Sequence, residues 1–156
     1  MIAKRYTIFN KHIGGSNRLP QGFHGLNRLW STKPTMSPEA QALLDEWSKT
    51  ETEVVLMGGT DLELEALAQA LGNISELPSA KFNEADLRDS CTVVTFVASD
   101  RIVSGGLELR GNNVKPFKAV DFLQTNTVGM HDGSRVQLTD DEIFVVVNIA
   151  FLRLAD

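Results

Sequence analysis

The sequence predicts an α/β protein, a three-layer open mixed β-sheet with flanking helices, extended towards its C-terminus by a hairpin and a further helix. Three observations predict it. Two helix openings are written out in full, at Ser37-Pro38-Glu39 and Thr60-Asp61-Leu62-Glu63. Runs rich in β-branched and aromatic residues, Tyr6 to Phe9, Glu53 to Met57 and Thr92 to Ala98, alternate with them. Glycine-rich and polar breaks separate the two kinds of segment.

In chain order, Tyr6 to Phe9 reads as the first strand, Gly14-Gly15-Ser16-Asn17 as a loop, and Pro20 to Trp30 as a helix. That loop lacks both the Lys-Ser/Thr ending of a P-loop and full GxGxxG spacing, so it reads as a turn rather than a phosphate cradle. Ser37 is the N-cap of the next helix and Pro38 occupies its first position, with Ala40, Leu43, Leu44 and Trp47 at helical spacing on the core side. Glu53 to Met57 is the second strand, and Gly58-Gly59 turns into the Thr60 capping box. The helix that follows faces the core through Leu64, Leu67, Ala68 and Leu71 and is expected to end with Gly72 as its C-cap. Ala80 to Phe82 and Thr92 to Ala98 complete the sheet. Beyond it, Leu107 to Arg110 and Val114 to Phe117 around Gly111-Asn112-Asn113 read as a hairpin, and Asp132-Gly133 as another tight turn. Thr139-Asp140-Asp141-Glu142 is a further capping box, opening Ile143 to Leu154, a segment so apolar that its own sheet or a second copy of the chain must cover it. The expected organisation is an α/β domain over residues 1–104 and an extension over 105–156 packed on the same domain.

Composition limits the function classes. With one cysteine, Cys91, there is neither an internal disulfide framework nor a multi-cysteine zinc site, and a reducing cytoplasm is the expected compartment. The opening Met1-Ile2-Ala3-Lys4-Arg5 is not followed by an apolar signal core, and no apolar run approaches the roughly 20 residues that span a bilayer. Three histidines, His12, His24 and His131, form no HExxH-like pair, so metal hydrolysis is not expected, and no serine sits in a GxSxG elbow. The net charge of −5 conceals an asymmetry: Lys4, Arg5, Lys11, Arg18, Arg28 and Lys33 occupy the first 35 residues, and all 20 carboxylates follow them. Such an end can form a face that attracts phosphate, or simply scatter solubilising charge.

Two polar segments stand out. Gln21-Gly22-Phe23-His24 places an amide and an imidazole three residues apart, on one helix face. Phe82-Asn83-Glu84-Ala85-Asp86-Leu87 places a carboxylate just before the strand that begins near Thr92. Together with Tyr6-Thr7-Ile8-Phe9-Asn10-Lys11, these resemble the first strand, the Gln-x-x-His-Ala helix, and the Glu-Pro-Asp-Leu segment with its later Thr, of the type II peptidyl-tRNA hydrolase fold family. The resemblance covers roughly residues 4 to 103. The family's Gly-Lys pair is represented by Ser16 and Asn17, with Arg18 one step later, and the proline of the acidic segment by Ala85.

The resemblance implies cleavage of the ester joining a peptide to the 3′ end of a transfer RNA, without metal or other cofactor. Asp86 would act as general base or orient the attacking water beside Thr92, and His24 would orient that group or protonate the leaving ribose oxygen. Lys11, Asn17, Arg18, Gln21 and Arg28 would hold the RNA end, the cations through phosphates. The other reading is a binding or regulatory protein that keeps the fold, lacks the lysine, and grips a transfer RNA or a protein partner through the basic end or the added C-terminal segment. That segment also offers a homodimer contact.

Overall fold

The computed structural model describes residues 3–154; Met1 and Ile2 of the basic opening and residues 155–156 of the extension lie outside the described residues. A five-stranded sheet runs in the order β3-β4-β1-β2-β7. Its strands are β1 (Lys4–Phe9), β2 (Glu53–Met57), β3 (Ser79–Glu84), β4 (Ser90–Ala98) and the two-residue β7 (Arg153–Leu154). β1 and β2 are parallel, as a helical crossover between them requires, and the other pairings are antiparallel. β4 is buried from Cys91 to Ala98, the mark of a strand covered on both faces.

Alternation along the strands sorts two layers of helix. On one face Phe9, Val93 and Thr95 lie against α1 (Gly15–Thr32), where a Cβ added at Gly25 would sit 3.2 Å from Thr95 and 3.4 Å from Val93. Val97 on this face packs with Leu44 and Trp47 of α2 (Pro38–Ser48), so Trp47 is a core residue. On the other face Ile8, Val94 and Phe96 form one core with α3 (Asp61–Gly72), α4 (Asp100–Gly111), α5 (Ala119–Thr125) and α6 (Asp140–Ala150). The small hairpin of β5 (Val128–Gly129) and β6 (Arg135–Val136) turns at Asp132-Gly133, where Gly133 takes φ +87°.

The capping chemistry behaves as the sequence predicts. The Ser37 hydroxyl accepts from the Ala40 N–H at 3.1 Å and Thr60 from the Glu63 N–H at 3.3 Å. Thr139 and Glu142 form the reciprocal capping box at 3.2 and 2.9 Å.

Four expectations are corrected. Residues 107–110 are helical and 114–117 form no strand: α4 starts at Asp100, carries Ile102 and Leu109 into the core, and spends Gly105 on close approach to α6, where an added Cβ would lie 3.0 Å from both Leu138 and Val146. Gly111-Asn112-Asn113 is therefore a helix end rather than a hairpin turn. The expected loop at Gly14 to Asn17 is mostly the first turn of α1, closed by the Asn17 N–H on the Gly14 carbonyl at 3.0 Å, and Pro20 sits inside the helix instead of opening it. Gly72 is the last residue of α3, and the capping position belongs to Asn73 with a right-handed φ of −78°. The C-terminal helix stops at Ala150, and Arg153–Leu154 returns as a strand beside β2. The buried side of α6, from Ile143 to Ile149, is covered by α3, α4 and α5 of the same chain.

Candidate functional site

A cleft of about 530 Å³ opens at the carboxyl ends of the parallel strands β1 and β2, the place where open α/β sheets hold ligands. Asp86, Arg88, His12, Asp61, Asn10 and Thr92 line it. Asn10 shapes the exit of β1. Its Nδ2 donates to the Cys91 carbonyl at 3.0 Å, its Oδ1 accepts from the His12 N–H at 2.9 Å, and its own N–H donates to the Thr92 carbonyl at 3.0 Å. Asp61, at the first position of α3, accepts the Cys91 N–H at 2.6 Å and so ties that helix to the start of β4. Burial pushes the Cys91 thiol up to about 12, which leaves it a packed, protonated group beneath the cleft.

Asp86 is carried on the 3-10 turn Ala85–Leu87, and the chain returns to β4 through two consecutive non-glycine residues of positive φ, Arg88 at 57° and Asp89 at 59°. Such conformations cost on the order of 1 kcal/mol each. The Asn83 amide holds the turn, donating to the Asp89 carbonyl and to Glu65 Oε1, both at 2.8 Å. Asp86 is exposed at the cleft, and its carboxylate takes part in no hydrogen bond or ion pair among the described residues.

Beneath this turn lies a buried relay. Between the pairs Phe82↔Val93 and Asn83↔Cys91 the register shifts, making Thr92 the extra residue of a β-bulge. Its hydroxyl lies 2.5 Å from Gln21 Oε1 and 3.2 Å from the Phe82 carbonyl, and Gln21 Nε2 donates to Glu84 Oε2 at 3.1 Å. A carboxylate accepts only, so Glu84 fixes the amide with its oxygen towards Thr92, and the Thr92 proton is committed to acceptors within the protein.

The remaining predicted residues divide between other places. His24 stacks on Phe82 with centroids 4.2 Å apart, Arg28 lies 5.6 Å over the same ring, and neither lines the cleft. Lys11, in the loop between β1 and α1, and Asn17, in the first turn of α1, are exposed. Arg18 lines a second cleft, of about 520 Å³, between α1 and the β1–β2 face, together with Leu19, Phe23 and Glu53. The basic face is also smaller than the sequence suggests. Arg5 is buried, bonded to Glu53 at 2.6 Å and placed over Trp47, and Lys33 meets Asp45 at 2.5 Å. Carboxylates distant in sequence supply the partners that the first 35 residues lack.

Glu84, Asn10, Asp61, His12 and Phe82 belong to the site although sequence reasoning did not select them. Asn10 and Glu84 stood within the recognised segments, at strand ends where a polar side chain can reach backbone or helix, and that was the available signal. Asp61 read only as part of a helix opening.

Fold and site define an α/β protein with a mixed sheet and a carboxylate-lined cleft at the ends of its two parallel strands. No family model matches the chain, and no curated protein matches it. Among the described residues no group of three or more His, Cys, Asp or Glu is placed to hold a metal ion, and no helix is long and apolar enough to cross a membrane.

Proposed function

We propose that this chain is a peptidyl-tRNA hydrolase-like ester hydrolase, and that Asp86 directs a water molecule at the ester between a peptide and the RNA 3′ end. The observation that carries this reading is that one cleft at the strand ends is lined by His12, Thr92 and an Asp86 carboxylate that has no hydrogen bond or ion pair among the described residues. Asp86 takes a proton from the water as its oxygen attacks the ester carbonyl. The bond to the ribose 3′ oxygen breaks, and that oxygen leaves with a proton, giving a peptide acid and a free 3′ hydroxyl. Proton donation falls to His12, because His24 is stacked on Phe82 outside the cleft. Thr92 and Gln21 are positioning residues, since the Thr92 proton is already used, and Lys11, Asn17, Arg18 and Arg28 remain the groups for the RNA end.

One observation favours the second reading, a catalytically silent protein that grips transfer RNA or a partner: Asp86, His24 and Thr92 do not assemble as one catalytic unit. Release of peptide from an N-blocked aminoacyl-tRNA decides between them. In the hydrolase, Asp86→Asn lowers turnover by roughly 10²- to 10⁴-fold while RNA affinity holds, and His12→Gln costs more than His24→Gln. A parent protein that binds transfer RNA or a partner without turnover supports the second reading instead.

A further inference from the structure

We propose that the turn from Asn113 to Lys118, outside the cleft and beyond the stretch that resembles the hydrolase family, is a second contact for single-stranded RNA. Phe117 stacks on an unpaired base there, and Lys115 and Lys118 meet its phosphates. Phe117 is 83 % exposed, the most exposed large apolar side chain among the described residues.

The exposure is built into the turn. Asn113 adopts φ +50°, the Val114 N–H closes on the Leu109 carbonyl at 2.9 Å, and Pro116 begins a 3-10 turn closed by the Lys118 N–H on the Lys115 carbonyl at 3.0 Å. Immediately after it Ala119 is completely buried, anchoring α5 in the core. The ring is thus held outward between two fixed ends.

Its surroundings suit a nucleotide. Phe117 borders a trough of about 660 Å³ whose walls also carry Lys115, Lys118, Asn113 and Asp121. Lys118 Nζ stands 5.9 Å from the Phe117 ring, and neither lysine has an ion-pair partner among the described residues. Asp121 is the one carboxylate among the trough residues. In a chain of net charge −5, the segment from Leu109 to Val120 has Arg110, Lys115 and Lys118 and no acid. Successive bases need a π face and their phosphates need cations, and both are here side by side. A protein partner would require a wider apolar patch than Phe117 and the 45 %-exposed Val120 present. The choice of RNA over single-stranded DNA rests on the function proposed above.

The test uses the full chain and fluorescence anisotropy with labelled transfer RNA and a labelled single-stranded RNA decamer. Phe117→Ala is expected to weaken binding about fivefold or more. The double variant Lys115→Glu/Lys118→Glu is expected to weaken it and to lower the salt slope by about 2. All three residues are exposed, so an unchanged melting curve accompanies the loss. The inference is overturned if the parent protein binds neither RNA, if both variants bind like the parent, or if anionic phosphatidylserine vesicles bind through Phe117 while RNA does not. Hydrolysis of an N-blocked aminoacyl ester of a short CCA oligonucleotide reports on the cleft separately. A parent that hydrolyses while both variants bind RNA normally sinks only this inference, and a parent that binds through Phe117 without hydrolysing sinks only the enzyme reading.

Discussion

The Thr92 hydroxyl and the Gln21 side-chain carbonyl oxygen are 2.5 Å apart in the interior, and the Glu84 carboxylate, 3.1 Å from the other end of the same amide, sets the direction of the bond. A strand, a helix and the entrance to the Asp86 turn are thereby joined through three side chains.

Thr92→Val keeps the shape and removes the proton. It leaves Gln21 Oε1 buried without its donor, so the protein is expected to lose about 1–3 kcal/mol in urea denaturation. Thr92→Ser, which keeps the hydroxyl, is expected to lose less. A loss in Thr92→Ser with none in Thr92→Val would show that the methyl group, and not the relay, matters at this position.

Glu142 governs a pH dependence. Burial works to raise its carboxyl, but the Arg101 guanidinium, with Nε at 2.6 Å and Nη2 at 2.9 Å, and the donors of the Thr139 cap outweigh burial and hold it below the usual carboxylate range. A carboxyl depressed in the folded state contributes stability above its unfolded value, and that contribution is lost as pH falls through the folded value. The parent is therefore expected to exceed Glu142→Gln in stability by about 2 kcal/mol at pH 7, and the gap is expected to close on acidification below about pH 4. Thermal melts of both proteins from pH 7 to pH 3 measure it; a gap independent of pH would exclude the ion pair as its source.

Two helical glycines should respond in opposite directions. Gly72 ends α3 with open space where a Cβ would go, so Gly72→Ala is expected to gain about 0.5–1 kcal/mol. Gly105→Ala would press on Leu138 and Val146 at 3.0 Å and is expected to lose about 1–3 kcal/mol despite better helix propensity. Chemical denaturation of the pair checks both signs.

The sheet was legible because its elements carry their own signals. β2 was read from Glu53 to Met57 as it is found, and the Ser37, Thr60 and Thr139 caps act locally, within four residues of chain. The hairpin expected near Gly111 failed because Leu107 to Arg110 and Val114 to Phe117 are short enough to suit either structure. What decided them was the packing of Gly105 against α6, about 40 residues away in the sequence.

The candidate site divides in the same manner. Asp86, Thr92 and Gln21 were selected from sequence, and Glu84 lay between two recognised residues. The bulge that turns Thr92 towards α1 depends on the register of β3 against β4, which no local pattern encodes. His24 and Asp86 looked like partners because each sits in a polar segment. The ring of Phe82, brought against α1 by β3, took His24 and Arg28 instead.

By itself the sequence determined the α/β class, the order of strands and helices over the first hundred residues though not the start of α1, and the polar segments that supply the cleft, because capping, periodicity and β-branching act over a few residues. Only the tertiary structure decided which cations remain unpaired, which histidine enters the cleft and where the Thr92 proton goes. Those outcomes depend on long-range contacts such as Arg5 with Glu53 and Thr92 with Gln21, whose partners are 48 and 71 residues apart and meet only when the sheet closes.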